Sequence, residues 1–195
     1  IKNLVYQKEK INKTINNKNI IYLIPYLKKK SLDRIIEDLS KQNVLFENIY
    51  IFDSFINKEK YLNKYLNSIN IIKLENICEK EIFLYLKNNN INFEYIIFID
   101  QEFILNKNFV KNVNNDLVKN SDVNTIIFRY SKNRKINPDI NFIEINNEIK
   151  FNICISRNVL FNKFDLNKNI YDNITNMEMN NQKILISKYL INVND

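Results

Sequence analysis

The sequence predicts an α/β domain, a three-layer α/β/α sandwich on a mainly parallel sheet. Four short apolar runs, near 20–24, 48–52, 69–74 and 94–99, are rich in β-branched and aromatic residues at successive positions. Strands covered on both faces read this way. Between the runs lie segments whose apolar residues recur at helical spacing, and strands alternating with helices build parallel sheets.

The first run, Asn19 to Pro25, is ended by proline. Ser31 is placed to cap the next helix, with Asp33 in its first turn and Leu32, Ile35, Ile36 and Leu39 as its buried stripe. Asn48 to Phe52 is a second strand, with Asp53 at its end. Lys58 to Asn67 carries Tyr61, Leu62, Tyr65 and Leu66 at helical spacing. Ile69 to Leu74 is a third strand, and Glu79 to Asn88 a helix with Ile82, Phe83 and Leu86 inward. The most hydrophobic strand, Glu94 to Ile99, is closed by Asp100-Gln101-Glu102. Asn106 is a candidate cap for a helix bearing Phe109, Val110, Val113 and Leu117, and a strand follows at Asn124 to Arg129.

The pattern then changes. Residues 141–155 alternate around Asn146-Asn147, and asparagine tolerates positive φ, so a later antiparallel hairpin is expected. A helix near Arg157 to Lys163, a loop through Asp165, a helix from about Asn173 and a strand at Lys183 to Leu190 complete the chain. Residues 1–18 are polar and read as a lead-in. Residues 19–195 read as a single domain, since no linker composition or internal repeat divides them.

A chain of 195 residues with 45% apolar content suffices for one domain with a full core. It opens on Ile1 rather than Met, so a processed or excised piece is expected. No apolar run approaches the roughly 20 residues of a bilayer span, and no signal-peptide pattern opens the chain. A soluble, cytoplasmic setting is expected, and a peripheral membrane or larger-chain context is compatible with it.

Glycine, alanine, histidine and tryptophan are all absent, while Asn, Ile and Lys are abundant. The abundant residues have A/T-rich codons, so the bias points to an AT-rich genome. The net charge of +7 then follows from lysine enrichment. Its charges are scattered, densest at Lys28, Lys29 and Lys30, with no basic stripe interleaved with aromatics, so no specific nucleic-acid partner is expected.

The absences exclude chemistry. Without glycine there is no P-loop and no dinucleotide fingerprint. Without histidine there is no Ser-His-Asp or Cys-His nucleophile and no His-ligated zinc. Cys78 and Cys154 cannot form a structural zinc site alone, and they read as two free, partly buried thiols rather than a disulfide. Carboxylates, Lys, Arg, Tyr and a bound metal ion remain. In open α/β sheets, ligands bind outside the carboxyl ends of the strands. Asp53, Asp100 and Glu102 land there, and Asp100 and Glu102, two residues apart, share one side of an extended segment. Such carboxylates suit a hard divalent cation that also holds a phosphate, although exposed loops at strand ends are often acidic for no such reason.

The order of the motifs resembles family 2 of the GT-A-type glycosyltransferases. Ile20-Ile-Tyr-Leu-Ile-Pro25 followed by Leu39-Ser-Lys-Gln42 is similar to that family's opening strand and helix. Ile49-Tyr-Ile-Phe-Asp53-Ser54 resembles its second strand, whose terminal Asp contacts the nucleoside. Glu94-Tyr-Ile-Ile-Phe-Ile-Asp100-Gln-Glu102, with Leu105 and Phe109 beyond, resembles its Asp-x-Asp segment, the second acid here being Glu. The stretch Arg157 to Asp172 resembles the one ending in its Glu-Asp pair, here Tyr171-Asp172. The likeness spans about residues 19–190, in the family's order.

The resemblance implies a GT-A-like domain, a nucleotide-sugar donor and a carbohydrate, lipid-linked or protein acceptor. It implies Mn²⁺ or Mg²⁺ on Asp100 and Glu102, the donor on Asp53, Asp100 and Arg157, and Asp172 as base of an inverting transfer. A GT-A-like module without catalysis, used for binding or assembly, is the alternative, and a basic RNA-binding protein the third reading.

Overall fold

The computed structural model describes residues 19–26, 32–53, 68–99, 103–122, 124–131, 153–179 and 184–193. The lead-in, Ser31, the helix expected over 58–67, Asp100 to Glu102 and the turn at Asn146-Asn147 lie outside these residues. The strands are β1 (Ile20–Tyr26), β2 (Ile49–Asp53), β3 (Asn70–Lys73), β4 (Tyr95–Phe98), β5 (Phe103–Ile104), β6 (Thr125–Ser131), β7 (Ile153–Ser156) and β8 (Ile184–Val193). The helices are α1 (Leu32–Lys41), α2 (Glu79–Asn88), α3 (Phe109–Lys119), α4 (Arg157–Asn162) and α5 (Ile170–Met179).

The strands form one sheet in the order β3-β2-β1-β4-β7-β6-β8-β5. The first four are mutually parallel, as expected, with Tyr26 level with Asp53 and Leu23 level with Phe98. The antiparallel element is β7, which runs against β4 on one side and β6 on the other. Beyond it, β6 pairs with β8 in parallel and β5 with β8 antiparallel.

Alternation along β1 assigns the two faces. Ile20, Tyr22 and Ile24 pack with Leu32, Ile35, Ile36 and Leu39 of α1 and with Phe109, Val113 and Leu117 of α3. Ile21 and Leu23 face the other way, toward Ile82, Phe83 and Leu86 of α2, Val159 and Leu160 of α4, and Ile174 and Met177 of α5. Both faces of the strand are therefore dry, which explains why it reads as one unbroken apolar run.

Helix ends are made without glycine. α1 and α2 close with the N–H of Val44 on the carbonyl of Leu39 and the N–H of Ile91 on that of Leu86. Each closure needs a left-handed residue, and Asn43 (φ 62°) and Asn90 (φ 51°) supply it. The start of α3 differs in detail from expectation. Asn108 occupies the cap position, Asn106 Oδ1 accepts from the Asn108 N–H two residues on at 3.0 Å, and the Val110 N–H is bound by Gln42 Oε1 at 3.0 Å. Among the described residues no helix is long and apolar enough to cross a membrane.

Two predictions follow from the core. Phe98 is fully buried, its ring edge-on to Phe83 with centroids 5.6 Å apart. Phe98→Ala should cost about 3–5 kcal/mol in urea unfolding, whereas a loss below about 1 kcal/mol would contradict this packing. Cys154 is buried and burial pushes its thiol far above the usual range, while Cys78 is half-exposed and both are free. A thiol reagent should therefore titrate Cys78 in the folded protein and reach Cys154 only after denaturation.

Candidate active site at the carboxyl edge of the sheet

Because β1, β2, β3 and β4 are parallel, their carboxyl ends share one edge. Asp53 is the last residue of β2, and its carbonyl accepts from Leu74 N–H at 3.1 Å, which carries the pairing with β3 just past the strand. The period of two sets Asp53 on the side of Ile49 and Ile51, the face covered by α1 and α3. Only 4% of Asp53 is exposed, so it is the one buried acid among the described residues.

The chain leaves β4 on this same edge. Ile99 N–H donates to Leu23 O at 2.9 Å, one step before Asp100. Asp100 and Glu102 themselves lie outside the described residues, within which no group of three His, Cys, Asp or Glu could hold a metal ion.

Asp172 reaches the edge by another route. Since β3 ends at the carboxyl edge and β4 starts at the other, α2 must begin at the carboxyl edge and run back across the sheet. At its first residue, Glu79 Oε2 accepts from Ile170 N–H, the first amide of α5, at 2.9 Å. One residue on, Lys80 Nζ donates to Asn167 Oδ1 at 3.3 Å. The start of α5 is thus tied to the start of α2, and Asp172, exposed in the first turn of α5, stands on the side of the sheet where β2 and β4 end. Asn169 caps this turn, its Oδ1 accepting from Asp172 N–H at 2.8 Å. The helix begins at Ile170, three residues earlier than expected from the sequence.

Arg157 is the correction. The resemblance assigns it to the donor site. But β7 is antiparallel to β4, so Ser156 pairs with Tyr95, the first residue of β4, and Arg157 emerges at the amino edge. Its N–H donates to Glu94 O at 2.8 Å and its Nη1 to Ile91 O at 3.2 Å. The guanidinium lies over the rings of Phe93 and Phe161, 5.3 and 5.7 Å from their centroids. β1 is seven residues long, so Arg157 and Asp53 are separated by about 20 Å along the strands. Arg157 staples α4 to the loop before β4 and faces an open hollow shared with Tyr95 and Phe161.

Glu79 is the residue sequence reasoning missed. Burial raises its carboxyl above the usual range, the Ile170 N–H pulls it down, and the nearby Asp172 pushes it up again. A raised folded-state value means that the neutral form is favoured by folding. That contribution is complete below the unfolded carboxylate range and is lost as pH rises through the raised value. Glu79→Gln keeps an acceptor for Ile170 and removes the titration. Melting curves between about pH 4 and about pH 8 should show the variant gaining on the wild type as pH rises, and a pH-independent difference would contradict this.

The chain matches no protein-family model. Its fold is similar to that of Staphylococcus aureus TarS 1–349, with a TM-score of 0.64 and 14% identity over 90% of this chain and 60% of that one. It is similar also to glucosyl-3-phosphoglycerate synthase from Mycobacterium tuberculosis, with a TM-score of 0.63 and 12% identity, covering 92% of this chain and 72% of that one. That synthase is in complex with Mn²⁺, UDP-glucose and phosphoglyceric acid, and TarS 1–349 has been solved in complex with UDP-GlcNAc. Both are GT-A-fold glycosyltransferases, and this chain has the GT-A-type fold. At such identities the likeness concerns the fold alone, and the chain spans 60% of the length of TarS 1–349. A probable inorganic pyrophosphatase of Plasmodium falciparum (isolate 3D7) is 40% identical over 65 residues, 33% of this chain and 17% of that protein. A segment that short cannot enclose the sheet, and in a chain so rich in Asn, Ile and Lys it carries neither fold nor function.

Proposed function

We propose that the chain is a glycosyltransferase that moves a sugar from a nucleoside-diphosphate donor to an acceptor hydroxyl, with inversion at the sugar carbon and a divalent cation. The observation that carries the reading is that Asp53, the exit of β4 and the first turn of α5 share one edge of a GT-A-type sheet. Ligands of open α/β sheets bind at that edge.

In this reading Asp53 accepts hydrogen bonds from the nucleoside, its buried position giving it a fixed direction. Asp100 and Glu102 form an all-oxygen donor set of the kind that hard Mn²⁺ or Mg²⁺ takes, which fits the metal. A cation bound there supplies positive charge against the negative charge developing on the leaving nucleoside diphosphate. Asp172 accepts the proton of the acceptor hydroxyl as its oxygen bonds to the sugar carbon and the bond from that carbon to the diphosphate breaks. Its exposure allows an acceptor to reach it, whether carbohydrate, lipid-linked or protein. Arg157 is left out of this reading, because it stands at the other edge.

The test is melting with UDP and GDP, with and without Mn²⁺. The wild type should gain stability from one of them only when the cation is present, about 2.7 kcal/mol at a hundredfold excess over Kd. Glu102→Gln should lose most of that gain. Asp172→Asn should keep it while transfer falls about 10²–10⁴-fold. A wild type that shows no cation-dependent shift with either nucleotide would leave the non-catalytic binding module as the better reading.

A further inference from the structure

We infer that Asn173 is a positioning residue that fixes the direction of Asp172, an inference resting on the reading of Asp172 as the base. Asn173 is the fourth residue of α5 and is 4% exposed, although asparagine is a poor helix former and a buried amide is costly without partners. Its side chain folds back over the start of its own helix. Oδ1 accepts from Asp165 N–H at 2.8 Å. Nδ2 donates to the carbonyls of Asp165, Asn169 and Lys168 at 3.0, 3.0 and 3.3 Å. One amide thus closes the 165–169 loop on itself and onto α5.

The knot continues to the reacting position. Asn169, whose carbonyl Asn173 holds, binds the Asp172 N–H through its own side chain, and Asp165 Oδ1 accepts from Asn167 N–H at 2.9 Å. Glu79 anchors the same turn to α2 from outside. The amides of Ile170 and Asp172 are bound by side chains at 2.9 and 2.8 Å, and that of Asn173 by the Asn169 carbonyl at 3.2 Å. These bonds hold the stretch of backbone that carries Asp172. A carboxylate that must meet one hydroxyl gains from such preorganisation, since a misplacement of about 1 Å costs on the order of 10²-fold in rate.

The experiment measures UDP release from UDP-glucose and from UDP-N-acetylglucosamine with Mn²⁺, in a cycle of Asn173→Ala and Asp172→Asn, with UDP affinity read alongside. Asn173→Ala should lower turnover by about 10-fold or more and leave UDP affinity within about 2-fold. In the Asp172→Asn background it should cause no further loss, because a residue acting through Asp172 has nothing left to position. Asn169→Ala, at an exposed position, carries the same cycle should Asn173→Ala not fold. An equal loss in both backgrounds overturns the positioning role and leaves the base in place. A full rate in Asp172→Asn, or no release from either donor by the wild type, overturns the reading beneath it as well.

Discussion

The pairing of β1 with two parallel neighbours, under helices on both of its faces, is the constraint on which the rest depends. Leu23 and Ile24 are fully buried on opposite sides of the same strand, so neither layer can slide without exposing a face. A one-residue slip in register would exchange the two faces entirely. The pairing also decides where chemistry can gather. Setting Tyr26 level with Asp53 and Leu23 level with Phe98 brings the ends of β2 and β4 out on one edge, on either side of β1.

The two edges of the sheet have different characters as a result. The carboxyl edge holds a buried acid, an exposed acid on a tightly bound helix start, and the exit of the strand that leads to two more acids. At the amino edge the charged groups are engaged with the protein itself. Glu94 and Asn19 bond to each other there, and Arg157 spends its guanidinium on a carbonyl and two aromatic faces. A cation stacked on two rings in this way is a packing element.

Much of this was legible in the residues. The four parallel strands and the buried stripes of α1, α2 and α3 follow the apolar periods closely, because dry faces demand apolar side chains whatever the tertiary detail. What was not legible has a common cause. The direction of β7 is not written in Ile153-Cys-Ile-Ser156, which reads the same parallel or antiparallel, and that direction alone sends Arg157 to the far edge. β5, two residues long, is too short to show a period. The start of α5 was announced by Asn169, a cap three residues before an acid, but that signal is weak in a chain where asparagine is everywhere. Glu79 binds a partner 91 residues away, which no local pattern records.

The hydrogen bonds between helices add a property that the sheet alone would not confer. On one face Gln42, just past the end of α1, holds the start of α3, and on the other Glu79 and Lys80 hold the approach to α5. α1 is thus coupled to α3, and α2 to α5, as well as to the strands beneath. Opening one releases the cap of its neighbour, so fluctuations are shared within a layer and separate helices do not fray independently. The start of α5, clamped from within and from α2, can loosen only by breaking contacts in both helices.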